Sequence, residues 1–522
     1  MMRHRLNAIR DESGFALVSV LVLMVVGTLF ALAAWGTSKA DIKPTAADRD
    51  SKQAYAAAEA GINFYLFRLG DNNAYWADCA TIPAPNAADP VSLAGATTLK
   101  WRTVPGTSSS YAVELLPQNN VAATGSWCTP GDTAQNSLLD SASGTLQIRS
   151  TGQSNGVRRS VVATLRRSGF LDYLYFTDFE TQDPQVTGSS ATCNVYRRFG
   201  RSSSCSSIVF ASDDAVNGPF HTNDDILTCG TPDFGRTTAD QVEVVAPTNG
   251  YASGCGGTAT PNFKGTYIDG SHGAKILTMP ASNSELETVT QTGYLFTGTT
   301  KITLKTGGFF DVTNNGVTTI NKAWPPNGVI YVKNGSGAGC QPAHSAPQTY
   351  NEPSCTGNVY VKGDYNRSIT IGAANDVIVN GDVKRTAGST ALAGLIANFF
   401  VRVYHPVDTS SGCGNEQNNA TYGNYLGSVQ IDAAILSVGH SFIVDNYNCG
   451  TPRGTLTVNG AIAQTYRGPV GTGGSSISTG YVKNYNYDDR FRVANPPFFL
   501  DPVQSSWRKI RFNEETPARQ GG

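Results

Sequence analysis

Residues 15–35, FALVSVLVLMVVGTLFALAAW, carry no charged side chain. A helix of that length reaches about 30 Å, the thickness of a bilayer's hydrocarbon layer. The run therefore predicts a single membrane helix, and membrane lipid as its partner. Arg3, Arg5 and Arg10 precede it, while Lys39 and Asp41 follow in near balance. The positive-inside rule then keeps the N-terminus cytoplasmic and exports the rest of the chain. A competing reading starts from Ala31-Leu32-Ala33, which fits the small-x-small site of a general signal peptidase and would release a soluble body.

All ten cysteines, Cys79, Cys128, Cys193, Cys205, Cys229, Cys255, Cys340, Cys355, Cys413 and Cys449, lie beyond that run. None has the CxxC spacing of a zinc or thioredoxin-like site, so disulfides are the expected chemistry, and disulfides persist in oxidising compartments. Short loops close at low entropic cost. That predicts bridges between sequence neighbours: Cys79 with Cys128, Cys193 with Cys205, Cys229 with Cys255, Cys340 with Cys355, and Cys413 with Cys449.

The formal net charge of -1 and a charged fraction of 15% give no basic field for nucleic acid, which is excluded as a partner. Fifty-five glycines and 22 tyrosines, among many Asn, Ser and Thr, describe short strands and tight turns, hence a mainly β body. A chain of 522 residues also exceeds one ordinary core.

Between the charged leader and the apolar run stand Asp11, Glu12, Ser13, Gly14 and Phe15. This stretch resembles a type IV prepilin leader, and the resemblance implies cleavage between Gly14 and Phe15 with the helix retained. Residues 54–69, AYAAAEAGINFYLFRL, resemble the helix that follows the membrane segment in PilX-like minor pilins. Residues 146–166, LQIRSTGQSNGVRRSVVATLR, resemble the paired strands closing that module. Together the likeness spans about a third of the chain. It implies a role in pilus assembly or adhesion, with pilus subunits and assembly machinery as partners. One departure is informative. A cut after Gly14 puts Ser19 at the fifth mature position, where major pilins carry a glutamate, so the resemblance points away from a filament-building subunit.

The residues carry their own logic beside the likeness. Ala54, Ala58, Ile62, Tyr65, Leu66 and Leu69 recur at three- and four-residue spacing and predict a helix with one apolar face. Pro44 is expected to break or kink it. Alternation predicts strands at 98–104, 111–116, 145–150 and 157–167, a small antiparallel sheet able to cover that face.

After Gly169 the texture changes to short β-branched runs punctuated by Gly and Asn, such as GVIYVKNG from Gly328 and TLTVNGAIAQ from Thr455. A parallel β-helix, or solenoid, has this grammar; a β-sandwich or jelly roll is the alternative, because no strict period is visible. The expected layout is a cytoplasmic leader at 1–14, a transmembrane helix at 15–36, a pilin-like helix and sheet at 37–168 and a β-solenoid-like domain at 169–470. A linker and extended strip at 471–507 and a disordered tail at 508–522 follow.

Residues 212–225 hold the densest polar cluster: Asp213, Asp214, His221, Asp224 and Asp225. Asp213, Asp224 and Asp225 are the weak candidates for a hard cation, but EF-hand spacing is missing, and Asp and Asn also cap backbone amides at corners. No HExxH, GxSxG or GxxxxGK[ST] is present, so neither a catalytic set nor a cofactor is expected. The reading is a non-enzymatic, pilin-like cell-surface protein. The alternative is a membrane-anchored β-helix enzyme or glycan-binding protein with a surface glycan as partner. Intact-mass measurement is expected to find a chain that begins at Phe15 or keeps the whole leader; a soluble product beginning at Ala34 would overturn the anchor.

Overall fold

A computed structural model describes residues 13–71, 75–76, 90–117, 138–140, 145–167, 169–212, 214–337, 339–341, 344, 348–407, 425–473, 477–492, 494–503 and 507–520. Helix α1 runs without interruption over Ser13–Asp71, straight through Pro44. The expected break is therefore absent. Proline removes one amide donor, but its fixed φ is a helical one, and the residues beyond it are held by burial against a sheet.

That burial follows the predicted stripe. Ala54, Ala58, Ile62, Tyr65 and Leu69 are buried, together with Val113, Ile148, Val161 and Leu165 of the sheet. Helix and sheet approach so closely that two positions exclude any side chain. A Cβ on Gly152 would stand 1.9 Å from the Ala54 carbonyl oxygen, and one on Gly61 would stand 2.2 Å from Ser150 Oγ.

The sheet on α1 has the order Val91–Leu93, Ser110–Leu116, Thr145–Ser154, Val157–Arg167 and Trp507–Glu515. Only the first pair is parallel. Its last strand corrects the expectation of a disordered tail at 508–522. Trp507–Glu515 pairs antiparallel with Val157–Arg167, from Trp507 opposite Arg167 to Glu515 opposite Ser160. Trp507 enters the core against α1, and Arg149 donates two bonds to Glu515, at 2.6 and 2.8 Å. An edge strand buries one face only, so its polar composition looked like solvent-exposed tail. Its partners lie far away in sequence.

The larger body is a curled sheet of mostly parallel strands. One ladder stacks Val329–Lys333, Ile369–Ala373, Ala393–Ala397, Ala434–Ser437 and Pro452–Tyr466. A second stacks Thr300–Lys305, Val359–Tyr365, Val377–Arg385, Val401–Val403 and Phe442–Val444. Valine, isoleucine, leucine and alanine from both ladders face inward and form one core, including Val361, Ile371, Leu395, Val401, Ile435 and Ile462. Successive partners such as Thr370 with Gly394, Gly394 with Ala434, and Ala434 with Ala461 are unequally spaced, which explains the missing period. Sandwiches and jelly rolls are built of antiparallel strands, unlike these ladders.

The chain enters this stack in its middle. Tyr175–Phe179 lies between Pro452–Tyr466 on one side and Phe220–Thr222 on the other, with Tyr175 opposite both Ile462 and Phe220. The stack then continues outward through Gln241–Val244 to Thr266–Asp269. Within 471–507, Gly471–Gly473 and the start of Ile477–Tyr487 are paired strands where a flexible link was expected at 471–480. Ile477–Tyr487 is a strand paired with Pro452–Tyr466, and it buries Tyr481, Tyr485 and Tyr487. Glycine and serine suggested flexibility, but the tyrosines that follow supply the apolar face.

Disulfides join Cys193 to Cys205, Cys229 to Cys255 and Cys340 to Cys355, with Cα separations of 5.7, 5.5 and 5.1 Å. Cys449 is disulfide-bonded as well. Cys79, Cys128 and Cys413 lie outside the described residues. Trp507→Ala is expected to cost the helix–sheet unit about 3 to 5 kcal/mol, the range for truncating a buried tryptophan. Hydrogen exchange would read this as faster exchange across 157–167, while protection of the strands at 369–373 and 434–437 stays unchanged.

Candidate functional site

The predicted aspartate cluster sits where the entering strand meets its neighbours. Asp224 is fully buried and accepts from the backbone amides of Glu180 at 2.9 Å, Arg197 at 2.7 Å and Asp225 at 2.8 Å. It is also paired with Arg201. Asp225 accepts from the Arg198 amide at 2.8 Å, and Asp214 from the Ala211 amide and from Lys483 Nζ at 2.8 Å. Asp213 lies outside the described residues. A carboxylate that already holds three amides and a guanidinium has no lone pair left for a cation. Among the described residues no group of three or more His, Cys, Asp or Glu side chains could hold a metal ion.

His221 belongs to the same wall. Its Nδ1 lies 2.8 Å from Glu243 Oε2 and its Nε2 3.1 Å from Asn223 Oδ1, and its ring packs against Tyr173 and Phe176. Burial opposes the Glu243 charge, yet His221 and the Tyr173 hydroxyl, donating at 2.8 Å, hold its carboxyl below the usual value. Glu180 behaves oppositely: complete burial pushes its carboxyl up despite Arg467 3.3 Å away. For Asp225, burial and the neighbouring Asp224 charge push the same way.

Beside this wall opens a cavity of about 410 Å³ lined by Tyr175, Gln182, Asp214, Arg467, Lys483 and Tyr485. Arg467 lies 3.5 Å over the Phe210 ring, Gln464 donates to the Tyr175 hydroxyl, and Tyr447 to Gln182. Among the described residues Asp214 is the one carboxylate on its lining, and it is tied to Lys483. Glycoside hydrolysis requires a pair of carboxyl groups; among the described residues this lining offers one. Glu180, Glu243, Arg467 and Lys483 were not singled out in the sequence, because each lies far along the chain from the cluster it serves and no local motif marks it.

Gly14 and Phe15 fall at the start of α1. Farther along, the side chains of 17–32 are apolar apart from Ser19 and Thr28 and nearly all uncovered, with Leu23 71% and Phe30 70% exposed. Among the described residues no helix is long and apolar enough to cross a membrane. The stretch 17–32 by itself measures about 24 Å as a helix.

Comparison with known proteins bears on this helix. Residues 13–63 match the PilX N-terminal family, which covers the uncovered stretch and most of the stripe buried on the sheet. Among solved structures, the competence-associated pilin ComZ from Thermus thermophilus aligns over 89% of this chain and 97% of its own, at 13% identity and a TM-score of 0.27. An overlap that low fixes neither fold nor role. No curated protein matches the chain.

The Glu243 contact has a pH signature. A carboxyl held below its ordinary 4.5 in the folded state contributes stability that is present above 4.5 and is lost as pH falls through the folded value. Glu243→Gln is therefore expected to flatten the acid limb of melting temperature against pH. An unchanged limb would mean that the His221 contact does not stabilise the fold.

Proposed function

We propose that this chain is a pilus-associated, PilX-like minor pilin displayed at the cell surface, and that it has no catalytic role. The observation that carries the reading is the PilX N-terminal match on a helix of two unlike halves. One half is buried by the protein's own sheet; the other is apolar and uncovered. Apolar surface of that extent, left uncovered, marks contact with lipid or with another apolar chain. We take 15–36 as the segment embedded in membrane or filament, with 1–14 as a leader cut between Gly14 and Phe15. The N-terminus is then cytoplasmic and the β body extracytoplasmic.

The curled body is read here as a parallel solenoid. Parallel ladders with unequal returns favour it, since each return is free to vary in length while the stacked strands stay in register. Disulfides on those returns fit an oxidising exterior. Adhesion or assembly would then be served by the outer loops.

The test is fractionation of a tagged chain in its native host. It should sediment with membranes, and with sheared surface filaments where these are made. Leu23→Asp together with Leu29→Asp should abolish both associations, since charge at the centre of an embedded helix costs about 2.5 to 3.5 kcal/mol per residue. Wild-type chain found free in the soluble extracytoplasmic fraction would overturn the reading.

A further inference from the structure

A second buried charge cluster, apart from the site above, surrounds Arg402 in the strand Val401–Val403. The guanidinium is fully buried. Its Nη2 lies 2.9 Å from Glu352 Oε1, its Nε 3.1 Å from Asp376 Oδ2 and its Nη1 3.4 Å from Asp445 Oδ1. Three carboxylates thus share one permanent cation. The two committed aspartates have further partners: Asp376 Oδ1 accepts from the Phe400 amide and Asp445 Oδ2 from the Tyr350 hydroxyl, at 2.9 and 2.8 Å. Burial pushes the Asp376 carboxyl up against the pull of Arg402.

Three side chains at this cluster keep unmet hydrogen-bonding capacity. Among the described residues Glu352 Oε2, Thr356 Oγ1 and both ring nitrogens of His344 are buried without a hydrogen-bond partner. The His344 side chain is 4% exposed, and its Nε2 stands 3.8 Å from Asp445 Oδ1. All three side chains line one cavity of about 170 Å³. Buried polar atoms in native proteins are nearly always satisfied. An excess of negative charge beside unmet acceptors selects a positively charged donor.

We propose that this cavity binds a protonated primary amine, which donates to Glu352 Oε2, Thr356 Oγ1 and one nitrogen of His344. The stoichiometry supports this ligand class. A primary ammonium carries three N–H donors and no acceptor, and three acceptors are open. A metal ion would need carboxylate oxygens that Arg402 already holds, and no metal-binding group of three occurs among the described residues. The cavity exceeds the roughly 30 Å³ share of one water several times over, so it admits a small alkylammonium. The amine is carried either by a free small molecule or by a lysine side chain.

The experiment is a melting-temperature titration of the full chain with ethylammonium chloride and with Nα-acetyl-lysine amide. Tetramethylammonium chloride at equal ionic strength serves as control. Saturable stabilisation by ethylammonium supports the proposal with a free amine as source; stabilisation by the lysine derivative alone supports it with a side chain as source. Thr356→Val leaves every partner of Arg402 in place, so folding is retained. It should weaken either probe about tenfold, the loss expected for one bond to a charged donor, while raising the melting temperature of the unliganded protein. No stabilisation by either amine, equal stabilisation by tetramethylammonium, stronger saturable stabilisation by calcium chloride, or unchanged affinity in Thr356→Val would each overturn the proposal.

Discussion

The register of Tyr175 on Ile462 is the contact on which the β body depends. The chain enters its own stack in the middle, builds outward to Thr266–Asp269, and only later lays down the ladder from Leu295–Thr297 to Pro452–Tyr466 that closes against the entry strand. Backbone bonds fix the join: the Ile462 amide donates to the Leu174 carbonyl at 2.8 Å, and the Arg467 amide to Thr181 at 3.0 Å. Side chains reinforce it, since Arg467 meets Glu180 and Gln464 meets Tyr175 across the same seam. Two stretches of chain nearly three hundred residues apart are thereby one sheet. Contacts so distant in sequence form late, because loop closure must come before they contribute.

The same economy governs the N-terminal unit. Its small sheet is finished by the last strand of the chain, Trp507–Glu515, so helix α1 reaches its full burial only when the C-terminus has docked. Arg149 ties the seam by holding Glu114 and Glu515 together, one from the sheet interior and one from the arriving edge. Between the two seams the chain is closed twice, once in each unit. The stretch 17–32 of α1 is a run of exposed apolar side chains that neither closure protects.

What the sequence made legible was local. The stripe Ala54, Ala58, Ile62, Tyr65 and Leu69 and the hairpin from Thr145 to Arg167 are periodic, and period is readable without tertiary knowledge, whereas the inward runs of 329–333, 359–385 and 429–444 stood out as β-branched segments between Gly and Asn. What failed was composition used as a proxy for order. Pro44 did not end its helix, a polar tail became an edge strand, and a glycine-serine linker led into a strand of buried tyrosines. In each case a distant partner supplied the burial that composition denied. The site followed the same division. Asp224 and His221 drew notice because they cluster in sequence, whereas Glu243, Glu180, Arg201 and Arg467, which complete their contacts, carry no local mark.

Charge balance separates the two buried clusters more sharply than sequence density does. Around Asp224 one carboxylate meets three amides and a guanidinium, and Asp214, Asp225 and Glu180 each have their own partner, so these described members are saturated and do the work of a corner. Around Arg402 the count reverses, with three carboxylates to one guanidinium, and one of those carboxylates, Glu352, joins Thr356 and His344 in keeping unmet atoms. Removing charges from water is costly unless each finds its complement, so a saturated cluster is explained by the fold alone. An unsaturated one is not, because the same fold could have replaced Thr356 by an apolar side chain of the same shape without leaving its hydroxyl unmet. Sequence drew attention to the dense cluster, whose described members have complete contacts. The scattered one, gathered from residues 344 to 445 by stacked strands, is where the contacts remain open.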